Sequence, residues 1–293
     1  MNNAAQLKAK IRYLSRTLNV EAEVLLRSFM MERLLERMAC SAFKDNFVLK
    51  GGMLIASMVG LGSRSTMDMD ALMIGKTLNE DGFLFIIGEI IRVKLDDGAE
   101  FSIQGIESIQ EGADYPGYRV SIKASYAKTW QMLKIDITTG NEVVPKKIEH
   151  SFKLMFDNRS IEIWAYNLEM ILAEKFETIV TRGVANTRMR DYYDVYILTK
   201  LFSYNEEYFK IALGKTTEFR HSFKQVFGES LSTINNLLEN VNMSNLWIKY
   251  QGKYSYATYV TWDMVIDSLR TLAFCLERSE LDESRFREIE IKK

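Results

Sequence analysis

The hydrophobic pattern changes period twice along this chain, and this constrains the fold more than any other feature. Residues 20–42 repeat apolar side chains near the helical period, through Val24, Leu25, Phe29, Leu34 and Met38. Tyr118 to Tyr126 alternates instead, with Tyr118, Val120, Ile122 and Ala124 interleaved with polar residues, the signature of a half-buried strand. After Asn167 the helical period returns and stays. The double switch predicts an α+β fold: residues 1–165 as a mixed-sheet domain with N-terminal helices, and residues 166–293 as a helical domain.

Within that frame the spacing predicts helices over 5–17 and 20–42, with Asn19 as the second helix's N-cap. Phe47–Lys50 reads as a short buried strand, Met53–Val59 as a helix, and Gly60, Gly62 and Ser63 as a loop. A strand follows over Met67–Ile74, a helix over 79–94, and strands over 118–126, Met132–Thr138 and Ser160–Trp164. Helices are expected over 168–182, 188–202, 205–214, 216–228, 230–241 and 259–278. Pro116 and Pro145 both fall in the β-rich middle, where they interrupt no helix.

Composition narrows the chemistry. The chain has 293 residues, 47% of them hydrophobic, enough for a sizeable core. Lys and Arg number 38 against 39 Asp and Glu, so the protein is not coated in basic charge. Two histidines (His150, His221) and two cysteines (Cys40, Cys275) are too few for a His-rich site, a four-cysteine zinc site or a disulfide scaffold. Any metal must be held mainly by carboxylates. The N-terminus, MNNAAQLKAK, has no apolar h-region. The most apolar stretch, Phe83–Val93, is broken by Gly88, Glu89 and Arg92 and is too short to span a bilayer. No membrane association and a reducing cytoplasmic setting are therefore expected.

The informative stretch is FVLKGGMLIASMVGLGSRSTMDMDAL, from Phe47 to Leu72. A strand runs into Gly51-Gly52 and then a helix. Such glycines let the backbone approach a phosphate and leave helix N-terminal amides facing an anion, although a tight strand-to-helix turn needs them too. Asp68 and Asp70 are two apart at the start of an apolar strand, so both point to one face while Met69 packs behind. Paired carboxylates repel unless a cation lies between them, and Mg²⁺ takes such oxygen ligands together with substrate phosphates. The alternative is a strand end with two solvated aspartates. Asp136 lies between Ile135 and Ile137 and points away from both. If its strand neighbours Met67–Ile74, it becomes a third carboxylate, and three can hold two metals for in-line displacement at phosphorus. Alone it would be an ordinary exposed acid.

Gly-Gly, a helix, D-x-D and a distant I-D-I resemble the polymerase-β-type nucleotidyltransferase superfamily. The finer pattern, Leu49-Lys50-Gly51-Gly52 followed by Arg64-Ser65-Thr66-Met67-Asp68-Met69-Asp70, resembles the AbiEii/AbiGii toxins of type IV toxin–antitoxin, abortive-infection systems. Leu172-Ala173-Glu174-Lys175-Phe176 and Arg188-Met189-Arg190-Asp191-Tyr192-Tyr193-Asp194 resemble that family's later helices. Two positions depart from it: Met53 where a small hydroxyl residue is usual, and Arg190 where Lys is commoner.

The resemblance implies a Mg²⁺-dependent nucleotidyltransferase that moves NMP from an NTP, with GTP favoured, to a cellular acceptor such as tRNA. It implies Asp68, Asp70 and Asp136 as metal ligands, and Gly51, Gly52, Arg64, Thr66 and Lys175 as nucleotide contacts. Lys175 and Asp191 join the three aspartates as catalytic residues, with the helical domain completing the nucleotide cleft. It also implies a cognate antitoxin, a DNA-binding regulator encoded nearby. Read from the residues alone, Lys175 on an apolar helix suits phosphate binding or a snorkelling surface role. Asp191 suits positioning Lys175, nucleotide contact or base action, and Asp194 suits pairing with Arg188 or Arg190. Arg182, Arg188, Arg190, Lys146, Lys147 and Lys153 are candidate RNA contacts. Two other functions fit the same motifs: a nucleotide-binding regulatory module without transfer, and a nucleotidyltransferase acting on a small molecule of antibiotic type.

Overall fold

The computed structural model describes residues 4–75, 79–109, 117–140 and 142–277. Pro116 and the last residue of the helix expected over 259–278 lie outside the described residues. The chain divides into two compact units, Met1–Glu142 with Lys147–Tyr166, and Val143–Lys146 with Asn167–Lys293.

The first unit opens with helices α1 (Ala4–Leu18) and α2 (Ala22–Cys40). A seven-stranded sheet follows, built from β1 (Phe47–Lys50), β2 (Met69–Met73), β3 (Ala99–Ile109), β4 (Gly117–Tyr126), β5 (Thr129–Thr138), β6 (Ile148–Lys153) and β7 (Ser160–Ala165). Its spatial order is β3-β4-β5-β2-β1-β7-β6. The sheet is mixed: β2 pairs in parallel with β5 and β1 with β7, and the other neighbours are antiparallel. Helix α3 (Gly51–Val59) leaves the end of β1, and α4 (Glu80–Arg92) lies between β2 and β3.

Alternation in β4 and β5 decides which face is core. Val120, Ile122, Leu133 and Ile137 are fully buried. On that face Phe83 of α4 stacks on Tyr118 at 4.9 Å, and Phe29 of α2 meets Tyr126 edge-on at 5.5 Å. Residues of opposite parity, among them Arg119 and Asp136, therefore face away from α2 and α4. Asn79 starts α4 by accepting a hydrogen bond from the Gly82 amide at 3.0 Å.

The second unit is helical: α5 (Leu168–Arg182), α6 (Met189–Leu201), α7 (Glu206–Phe219), α8 (Phe223–Glu239), α9 (Val241–Lys253) and α10 (Trp262–Glu277). Tyr192, Tyr193 and Trp247 are buried in it. Tyr192 packs on Trp262 at 5.3 Å, so these aromatics build core. Among the described residues no helix is long and apolar enough to cross a membrane.

Several local expectations change. Asn19 does not cap α2: Glu21 holds that position, and Asn19 is left-handed at φ 52°, just past the end of α1. Asparagine tolerates that region better than most residues, which suits a helix stop. Helix α3 begins at Gly51 rather than Met53, so both glycines belong to its first turn. Strand β2 begins at Met69, two residues later than expected. Strands β3 and β6 and helix α9 arise where none was anticipated, and α8 runs unbroken through the interruption expected near residue 229.

Candidate active site

The site in the first unit is built from strand register. Lys50 of β1 pairs with Asp70 of β2, Asp70 with Asp136 of β5, and Asp136 with Arg119 of β4. Glu107 of β3 continues the row beyond Arg119. Directly opposed residues share a face, so five strands present one transverse line of ionisable side chains. The neighbouring row, Met69, Ile135 and Val120, is buried on the other side. The condition that would bring Asp136 beside the D-x-D pair is thus met by the parallel β2–β5 pairing. Asp68 lies one residue before β2 and is exposed, whereas Asp70 and Asp136 are half-buried.

The glycine pair has a steric reason to be there. Gly51 is left-handed at φ 66°, and a Cβ on it would lie 2.1 Å from Asp70 Oδ2. A Cβ on Gly52 would lie 2.6 Å from Thr66 Oγ1 and 3.2 Å from an Arg64 Nη. The first turn of α3 therefore seats directly on the Arg64–Asp70 segment. The Asp70 carboxylate lies at a helix N-terminus, which favours negative charge. Arg64 and Thr66 are both buried. Arg64 donates to the Ser65 carbonyl at 2.5 Å, and Thr66 Oγ1 donates to the Asp68 carbonyl at 3.3 Å. Both support the backbone that carries the aspartates. Met53 is buried in the core. Lys50 Nζ lies 5.3 Å from the Tyr166 ring centre.

Arg119 is the residue the sequence reading missed. Its Nε and Nη2 donate to Asp136 Oδ1 and Oδ2 at 2.8 and 2.7 Å, a bidentate pair. Those hydrogen bonds, then the charge of Asp136 itself and those of Glu107 and Asp68, raise the Arg119 guanidinium further above its ordinary range. The signal was available in part, because alternation puts Arg119 on the polar face of its strand. The register that sets it opposite Asp136 was not.

Asp68 and Asp70 supply hard oxygen donors suited to Mg²⁺, and the close seat of Asp70 against Gly51 leaves no room for a larger residue there. Asp136 is turned to Arg119. Among the described residues, no group of three or more His, Cys, Asp or Glu side chains stands arranged to hold a metal ion. The donor chemistry fits a divalent ion at Asp68 and Asp70.

The second unit has a charged cluster of its own. Lys175 of α5 is 2.5 Å from Asp191 Oδ1 and 3.0 Å from Asp194 Oδ2, both on α6. The two aspartates are buried, with side-chain exposures of 2% and 0%, and the Lys175 side chain is 15% exposed. Arg188 pairs with Asp191 at 2.9 Å. Asp194 thus pairs with Lys175, because three residues along α6 turn it inward beside Asp191. Arg190 donates to the Tyr254 hydroxyl at 2.9 Å.

No curated protein matches the chain significantly. Among solved structures, a candidate nucleotidyltransferase from H. pylori is 17% identical, covering 90% of this chain and 100% of its own, with a TM-score of 0.49. JHP933 from Helicobacter pylori is also 17% identical, covering 93% and 99%, with a TM-score of 0.47. An antigenic nucleotidyltransferase-like protein from Paracoccidioides brasiliensis is 13% identical, covering 68% and 87%, with a TM-score of 0.40. The family model described as nucleotidyl transferase AbiEii toxin, type IV TA system, matches residues 33–267, most of the chain. The chain belongs to the AbiEii family of nucleotidyltransferase toxins.

Proposed function

We propose that the row Asp70–Asp136, together with Asp68, is the centre of NMP transfer from an NTP to a cellular acceptor. The observation that carries this reading is the register of Asp70 with Asp136 directly beside the glycine turn of α3. Asp68 and Asp70 would hold Mg²⁺, which when bound would supply charge stabilisation for displacement at phosphorus. The amides of Gly51 and Gly52 bind phosphate oxygens at the start of α3. Arg64 and Thr66 act through the backbone they hold. Asp136 takes the proton of the acceptor hydroxyl, and Arg119 orients its carboxylate. Lys175 binds nucleotide phosphate, with Asp191 positioning it.

GTP is the favoured donor and tRNA the favoured acceptor, with exposed Arg182 and Arg188 as phosphate contacts. A DNA-binding antitoxin is the proposed partner and the cytoplasm the proposed setting.

Incubation with α-³²P-labelled NTPs, Mg²⁺ and total RNA tests the reading. Label on RNA, lost in folded Asp70→Asn and Asp136→Asn variants, supports it. Equal labelling by both variants contradicts it. Label on protein, or on a small molecule alone, assigns another acceptor.

A further inference from the structure

We propose that the outer face of strands β4 and β5 is a platform for a short single-stranded RNA end leading to Asp136; this rests on the RNA acceptor proposed above. The face lies opposite α2 and α4. Its ladder pairs Arg119 with Asp136, Ser121 with Lys134, Lys123 with Met132, and Ser125 with Trp130. All of these side chains are half-buried or exposed. Val120, Ile122, Ala124, Leu133 and Ile135, which alternate with them, are buried in the core.

The chemistry of the face selects a nucleic acid. Trp130 is 58% exposed and offers a ring on which a base can stack. Lys123 Nζ lies 5.5 Å from that ring's centre. Lys134 is exposed on the rung next to Asp136, and Lys128 is exposed in the turn that joins the two strands. Cations set beside an aromatic hold phosphates while the ring takes a base. Asp136, paired with Arg119, is the one acid on either strand. Glu100 and Glu107 lie on the edge strand β3 and confine a polyanion to β4 and β5. Stacking on Trp130 requires an unpaired base, which selects a single strand over a duplex. A protein partner would need apolar area, and Met132 and Trp130 are all that this face provides.

The platform leads to the reacting centre. From Trp130 to Asp136 strand β5 spans about 20 Å, at ~3.4 Å per residue. That is the reach of a few extended nucleotides, so an RNA end stacked on Trp130 can bring its terminal hydroxyl to the Asp136 carboxylate. Lys123 and Lys134 lie along that path. Trp130 therefore acts on acceptor binding and not on the transfer step.

Anisotropy of a short single-stranded RNA, labelled with fluorescein at its 5′ end and titrated with the full chain without nucleotide, tests this apart from transfer. Trp130→Ala is expected to weaken binding about tenfold, and Trp130→Phe, which keeps a ring, by less. Lys123→Gln and Lys134→Gln should each lower the slope of log Kd against log salt by about 0.7, the share of one phosphate on a single strand. Lys8→Gln, on the exposed side of α1, should change neither quantity. In the transfer assay Trp130→Ala should raise the KM for RNA and leave kcat near the parent value. Binding weakened in these variants supports the platform even where no label is transferred, a result that counts against the transfer reading alone. The proposal is overturned if folded Trp130→Ala and the Lys123→Gln, Lys134→Gln double variant bind RNA like the parent, or if the parent binds no RNA.

Discussion

Replacing Gly51 by alanine separates the geometric argument for the site from a simple turn requirement. Two penalties fall on this position. At φ 66° a Cβ brings the left-handed strain of an L residue, about 1–2 kcal/mol. The new Cβ would also lie 2.1 Å from Asp70 Oδ2, so the carboxylate must retreat by about 1 Å. A displacement of that size at a reacting centre costs about a hundredfold in rate. Gly60 tests backbone conformation without a clash, because at φ 90° and ψ 146° it also favours glycine and a Cβ there meets nothing within 4 Å. Urea unfolding should show both Gly51→Ala and Gly60→Ala destabilised, by about 1–3 kcal/mol for Gly60→Ala. Single-turnover label transfer should fall about a hundredfold in Gly51→Ala and stay near the parent rate in Gly60→Ala. Parent-like transfer by Gly51→Ala would refute the claim that Asp70 must sit against this turn.

Three other substitutions probe the charged groups. Arg119→Gln should change stability by less than about 1 kcal/mol, because the pair is partly exposed, yet slow transfer, and Arg119→Lys should not restore the rate because it lacks the bidentate fork; urea melts and single-turnover rates check both. Lys175→Ala should cost up to about 3–5 kcal/mol by removing the ammonium that the two buried aspartates share, with Asp191 still paired to the exposed Arg188, read as an earlier denaturation midpoint, and Lys175→Arg should recover part of it. For Glu32 the folded pKa, about 8, lies above the unfolded value, so its contribution to stability is complete below about pH 4.5 and disappears as pH rises through about 8. The difference in unfolding free energy between the parent and Glu32→Gln should therefore shift against the parent across that window, and a difference independent of pH would contradict it.

The parts of the fold that sequence made legible are those where side-chain period and local geometry coincide. Asp136 between Ile135 and Ile137 announces a strand with one polar face, and the structure has that strand. The Gly-Gly turn was legible because only glycine tolerates both the backbone angle and the approach of Asp70. Strand β3 was not, because Gln104 and Gly105 interrupt its alternation where the register shifts between Ile103 and Gly105. Strand β6, IEHSFK, is an edge strand exposed at most positions, so it lacks an apolar face to read. The break in the C-terminal helices lies at Arg220–Ser222, where His221 is left-handed at φ 55°, and not at Gly228. A glycine inside a helix lowers propensity without ending it when the flanking residues still bury an apolar face. The Arg119–Asp136 pair depended on cross-strand register, which composition and spacing do not specify. The same holds for Lys175 with Asp194, which required knowing how α5 packs on α6.

The most direct measurement is a crystal structure of the protein with Mn²⁺ and a non-hydrolysable GTP analogue, with the metal located by its anomalous signal. The account predicts manganese bound by Asp68 and Asp70, the α-phosphate beside Gly51, and Asp136 beside the acceptor side of the phosphate with its Arg119 pair kept. Manganese and triphosphate bound away from the Asp70–Asp136 row would contradict it.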